Sequence, residues 1–244
     1  MTDLVPPPPS PAGGPPPDAV RAHVRALAQD ALRRDAPTAW FEALYAEAGA
    51  DTTRIPWADL APNADLVAWT GQPGALAGAR TAAVIGCGLG HDAEHLARLG
   101  LDVTAFDVSP SAVAWARRLH PATRVRYEVG DLFALPAAWR GTFDVVVEVY
   151  TWQALPRRVR DAAVAATRAL LAPAGRLFVF TRVRDDGPGA PPLDEATGGP
   201  PWPLGRLELR RAIEGLTIDV AFVEVADAAD ASIGRGSGVW RRAR

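Results

Sequence analysis

From Arg80 onward, short apolar runs alternate with amphipathic stretches. Runs of strand length, rich in Val, Ala and Phe, lie at 81–85, 101–106, 124–129, 143–149 (FDVVVEV) and 176–181. Between them the apolar positions take a helical period, which predicts helices over 91–99, 110–119 and about 157–171. Ser109 is placed to cap the second of these, with Pro110 at its first position, and Pro173 and Gly175 lie just beyond the third. A Gly/Pro-rich stretch at 185–203 precedes an expected helix over about 205–215. Strands at 217–225 and 237–242 then close the chain with no helix between them, so a hairpin is expected. The whole pattern predicts an α/β fold: a doubly wound, seven-stranded, mostly parallel sheet with an antiparallel last strand.

The first third reads differently. Residues 1–17 are rich in proline and are expected to form a disordered tail. Asp18 can cap a helix to about Arg33 with Val20, Val24, Leu27 and Ala31 on one face, and a second helix spanning Thr38–Ala48 carries Trp40, Phe41, Leu44 and Tyr45. The stretch ADTTRIPWADLAPNADLVAW reads as an aromatic, proline-containing loop. The expected organisation is a tail (1–17), an N-terminal helical cover (18–79) and a core (80–244).

Composition narrows the partners. A formal net charge of −2 and a pI near 6.1 give no electrostatic reason to expect nucleic acid. No run approaches the ~20 apolar residues a membrane helix needs, and the N-terminus lacks the basic start of a secretory signal. Cys87 is the single cysteine, so no internal disulfide can form. A cytoplasmic protein is expected.

The chemistry starts at AVIGCGLGHD, residues 83–92. A strand runs into Gly86, Gly88 and Gly90, and a second strand ends in Asp107. This is a nucleoside-binding strand–turn–helix–strand unit. A dinucleotide fingerprint G-x-G-x-x-G/A would need a small residue where His91 stands. The G-x-G-x-G form instead resembles the S-adenosylmethionine (SAM) loop of class I methyltransferases. Asp107, followed by Val108, is placed to accept ribose hydroxyls. Asp131 after the third strand is placed to take the adenine amino group, with Leu132 or Phe133 against the ring. Asp92 opens the helix after the loop as a further cofactor contact, and Cys87 lies inside the turn, read as a small buried filler rather than a reactive thiol. At the end of the fourth strand, Glu148 is a candidate for the ligand ammonium or for a base, Tyr150 for catalysis, and Tyr150 and Trp152 for lining the acceptor pocket or surrounding the sulfonium, where aromatic faces favour cations. Trp40 and Trp202 join that pocket as the aromatic flanks. His91 and His95 share a helix face, but four histidines and no cysteine pair leave no metal site.

Further segments extend the likeness. IPWADLAPNADL, VTAFDVSPSAV, GDLF, FDVVVEVYTWQALP, LLAPAGRLFVF and GGPPWPL, taken with the glycine loop, resemble the thiopurine methyltransferase-like superfamily from about residue 38 onward. That group includes halide and thiol methyltransferases. The resemblance implies methyl transfer from SAM to a small nucleophile, most often sulfur, with S-adenosylhomocysteine (SAH) as product, and it maps Trp57 onto a tryptophan lying over the cofactor. Where halide and thiol methyltransferases carry D-Y-T-F-F-C-A, this chain has EVYTWQA, with Glu148 as the acid. A small-molecule S-methyltransferase is the leading expectation, with O- or N-methylation of a small metabolite as the alternative. An NAD-dependent oxidoreductase and a non-catalytic SAM-binding protein are the competing classes.

Overall fold

The computed structural model describes residues 17–195, 198–227, 230 and 232–244. The proline-rich tail expected at 1–17 lies outside the described residues except for Pro17. Helices α1 (Pro17–Arg33), α2 (Ala39–Ala48) and α3 (Ala64–Thr70) precede the sheet. The rest runs β1 (Thr81–Ile85), α4 (His91–Arg98), β2 (Asp102–Asp107), α5 (Pro110–Leu119), β3 (Arg126–Val129), β4 (Phe143–Val149), α6 (Arg157–Leu170), β5 (Leu171–Arg184), β6 (Leu204–Gly205), α7 (Arg206–Ala212), β7 (Thr217–Ala226) and β8 (Ile233–Arg241).

The strand order is β3-β2-β1-β4-β5-β8-β7, with β6 pairing β5. The first five strands are parallel, and β8 inserts antiparallel between β5 and β7. The expected doubly wound sheet with a terminal hairpin is therefore the observed one. Its strand count is corrected from seven to eight by the two-residue β6, too short to leave a periodic signal.

Two apolar layers sandwich the sheet. On one face Leu66 and Trp69 of α3, Ala93 and Leu96 of α4, and Val113 and Ala116 of α5 pack on Val84, Val103, Val145 and Phe178. On the other, Ala163 and Leu170 of α6 and Leu209 and Ala212 of α7 pack on Ile85, Val146, Leu177 and Val179. The central strands are buried on both faces, so they read as continuous apolar runs rather than alternating ones. A third cluster joins α1 and α2 to Leu89, Trp115 and Trp202.

Helix α3 falls where a loop was expected. Asn63 caps it, its side chain accepting from the amides of Asp65 and Leu66. Among the described residues, no helix is long and apolar enough to cross a membrane.

Candidate active site

The glycine loop leaves the carboxyl end of β1, beside the point where β1 has neighbours β2 and β4 on opposite sides. That is the switch point at which open α/β sheets bind ligands. Gly86, Gly88 and Gly90 have φ of +56°, +50° and +87°, the left-handed region that costs other residues about 1–2 kcal/mol. A Cβ on Gly86 would sit 2.6 Å from the Thr151 hydroxyl, and one on Gly88 would sit 2.9 Å from the Tyr45 hydroxyl. One on Gly90 would run into the Tyr127 ring. Backbone therefore lies where no side chain fits. The Cys87 amide donates to the Phe106 carbonyl at 3.0 Å, fixing the turn against β2.

Asp107 ends β2 almost wholly buried. Its Oδ2 accepts from the Gly88 amide and its Oδ1 from the Ser109 amide, both at 2.9 Å. A carboxylate has about four lone-pair sites, so Asp107 keeps acceptor capacity for a ligand beyond these backbone amides. Burial pushes its pKa up, while the Ser109 and Gly88 amides pull it back. Val108 follows, half-buried. Asp131 is exposed and accepts from the Phe133 amide at 2.9 Å, and Leu132 is buried beside Phe106. Asp92 accepts from the Asn63 amide at 2.6 Å, so α3 is docked onto the loop through this carboxylate. Burial raises the Asp92 pKa to about 6; the Asn63 amide opposes this and Asp59 adds to it. Burial, then Asp107, pushes the Cys87 thiol well above its ordinary value, which suits the filler role and not a thiolate.

The N-terminal helices close over this loop. Trp57, 36% exposed, donates its indole N–H to the Tyr45 hydroxyl at 2.9 Å, directly above Gly88. Glu42 on α2 accepts from the Ser109 hydroxyl at 2.7 Å and from the Ser111 amide and hydroxyl at 3.0 and 2.8 Å. Ser109 in turn caps α5. Tyr45 and Glu42 escaped the sequence reading of the site. The signal available was their place on α2, where a tyrosine and an acid interrupt an apolar helix.

Three of the aromatic candidates are buried. Trp152 is fully buried beneath α6, its indole N–H donating to Thr167 at 3.1 Å. Trp40 and Trp202 are equally buried, in the cluster of α1 and α2. All three fill the core, where a large ring excludes more water than it could at a pocket wall. Glu148 is buried as well. Strand alternation turns it to the α6 side with Val146, fully buried, and its Oε1 accepts from the Trp152 amide at 2.8 Å. Its Oε2 has no partner, and burial raises its pKa to about 8 against the Trp152 and Thr151 amides. It holds the strand-4 loop from within.

Tyr150 does lie at the carboxyl edge. Its φ is +62°, a strained value for a ring-bearing residue. Its ring packs on Phe180 with centroids 4.9 Å apart, and the Arg182 guanidinium carbon stands 5.2 Å from its centroid. Arg182 also pairs with Asp227 at 2.8 Å. Burial raises the Tyr150 hydroxyl pKa, and Arg182 and Arg235 pull it down. Gln153, fully packed, accepts from the Arg182 amide at 2.7 Å and so joins the strand-4 loop to β5. The groove of about 400 Å³ between α6 and α7 includes no residue of the glycine loop. No cluster of metal-ligating side chains occurs among the described residues.

Residues 82–175 match a family model described as a methyltransferase domain. The sheet is the class I methyltransferase fold. The ubiquinone biosynthesis O-methyltransferase of Xanthomonas euvesicatoria pv. vesicatoria (strain 85-10) is 40% identical over 108 residues, which are 43% of this chain. The chain spans 44% of that relative's length. A structure described as "Conversion of a Disulfide Bond into a Thioacetal Group during Echinomycin Biosynthesis" is 27% identical with a TM-score of 0.62, covering 84% of this chain and 91% of that one. The N-methyltransferase NodS from Bradyrhizobium japonicum WM9, in complex with SAH, shares the methyltransferase fold at 19% identity and a TM-score of 0.63, over 84% of this chain and 98% of that one.

Proposed function

We propose that this chain is a SAM-dependent methyltransferase whose acceptor is a small molecule, with oxygen as the receiving atom. The observation that carries the cofactor is the cradle of three left-handed glycines beside Asp107, where a side chain on any of the three would collide. Gly86, Gly88, Gly90 and Asp107 would hold the cofactor with Val108, Asp131 and Leu132, under Trp57. The acids Asp59, Asp92 and Asp107 around the loop suit a cationic ligand. SAM supplies an activated methyl group to a nucleophile placed in line with it. The chain's own work is to orient the acceptor and exclude water. Tyr150 would take that role; the burial of Glu148 on the α6 side of β4 argues against it as a base. The guanidinium groups beside Tyr150 favour an ionised acceptor.

Oxygen replaces sulfur as the first choice of acceptor because the curated relatives are named as O-methyltransferases. Sulfur stands second, supported by the 27% identical structure concerned with a thioacetal. The thiopurine methyltransferase-like grouping belongs with that second reading. A cytoplasmic location is part of both.

Calorimetry with SAM, SAH and NAD tests the cofactor: SAM and SAH bind and NAD does not. Methyl transfer to matched phenols and thiols then separates the acceptors. Turnover confined to thiols would reverse their order, and NAD binding without SAM binding would end the methyltransferase reading.

A further inference from the structure

The carboxyl edge of the sheet holds a second cluster, beyond β4. Arg182 on β5 and Arg235 on β8 are directly opposed partners in the antiparallel ladder, so their side chains leave the same face. That face is the one carrying Phe178 and Phe180, and Tyr150 packs there. Like charges on opposed positions of neighbouring strands repel. Asp227 compensates Arg182. Arg235 is exposed, hydrogen-bonds Tyr150, and makes no ion pair among the described residues. One positive charge is therefore left over, at the end of the sheet where ligands bind, beside a tyrosine held at φ +62°. Local conflicts of this kind are expected at functional or strained sites. The glycine loop lies on β1, across β4 from this pair, so an acceptor between them would reach both.

We infer that the methyl acceptor carries an anionic oxygen group, a carboxylate or a phosphate, held by Arg235 with Arg182 behind it. A guanidinium offers paired N–H donors that match either group. Tyr150 would lie under the body of the acceptor, its ring already carrying the Arg182 guanidinium. The inference rests on the methyltransferase reading, because it places the acceptor relative to the glycine loop.

The test uses the full chain saturated with SAH. Calorimetry compares 4-hydroxyphenylacetate, 4-hydroxybenzylphosphonate and the neutral 4-hydroxyphenethyl alcohol. At least one anion binds tenfold or more tighter than the alcohol, and which one it is separates carboxylate from phosphate. In Arg235→Gln the preference falls below twofold, Arg235→Lys recovers part of it, and SAH affinity stays unchanged in both. Equal binding of the three compounds, binding of none, or a preference that survives Arg235→Gln overturns the inference. Failure of SAH itself to bind the unaltered chain would instead overturn the methyltransferase reading.

Discussion

The two halves of the sheet's carboxyl edge differ in charge and in construction. Around β1 and β2 the prominent groups are acids: Asp59, Asp92 and Asp107 near the loop, and Glu42 against α5. Around β4, β5 and β8 they are Tyr150, Arg182 and Arg235. The first half is built on the backbone turn after β1, covered by side chains from α2 and the loop before α3. The second is assembled from three separate strands and loops, with Tyr150, Arg182 and Arg235 each brought from a different segment. A cationic cofactor and an anionic acceptor would each find the opposite charge, and the two halves should respond to different mutations.

The largest effect is expected from the strut behind the second half. Arg160 is buried, donating to the carbonyls of Leu155 and Trp202 at 2.8 and 2.6 Å and pairing with Glu208 at 3.2 Å. Arg160→Ala leaves those acceptors and a carboxylate without their donor, which costs about 3–5 kcal/mol. Urea unfolding should show that loss, while the protein that remains folded keeps its SAH affinity. Equal loss of cofactor binding would mean that the halves are not separable. Next comes Gly88→Val. A branched side chain at φ +50°, against the Tyr45 hydroxyl, should weaken SAH binding by about 100-fold. Affinity within threefold of the unaltered chain would remove the glycine loop from the site.

The same contrast explains what could be read from the sequence. Strands β1, β2 and β4 and the loop between Ile85 and His91 were legible because turn chemistry and apolar runs are local. The aromatic residues were not. Trp152, two positions past Tyr150, looked equally available for a pocket, yet the short 3₁₀ turn it begins sends it under α6. Glu148 looked like an active-site acid at a strand end, but a one-residue change of position along a strand reverses the face, and no local signal showed which face was the cleft. The pairing of Arg182 with Arg235 needs the β5–β8 register, which apolar pattern does not supply. Helix α3 was hidden by the prolines before it, although Asn63 followed by an apolar, helix-forming run was its capping signal.

A smaller effect tests the acidic half through pH. Burial raises the Asp92 pKa to about 6, so at pH 5 the free protein holds this group mostly protonated. A ligand ammonium nearby favours the ionised form, so binding releases the proton. SAH affinity should rise about tenfold from pH 5 to pH 7 and then level off, since each pKa unit corresponds to about 1.4 kcal/mol. Asp92→Asn should flatten that rise. A flat profile in the unaltered chain would show that Asp92 serves only to dock α3 through Asn63.

The smallest effect concerns Glu148, and it decides whether the boundary between the halves is structural. Its folded pKa, about 8, stands above the ordinary carboxylate value because burial disfavours the charge. A group raised in this way binds its proton more tightly in the folded state than in the unfolded one. Its contribution is complete below the ordinary carboxylate range and is lost as pH rises to the folded pKa. Between pH 7 and pH 9 the loss should be about 1 kcal/mol, seen as a falling urea midpoint. Glu148→Gln keeps the shape and the acceptor for the Trp152 amide but cannot ionise, so its midpoint should stay level over the same range. Methyl transfer by Glu148→Gln at pH 7 should remain within threefold of the unaltered chain, because the side chain faces α6. A loss of a hundredfold or more, with stability unchanged, would restore Glu148 to the chemistry and move the boundary of the acceptor half to the other face of β4.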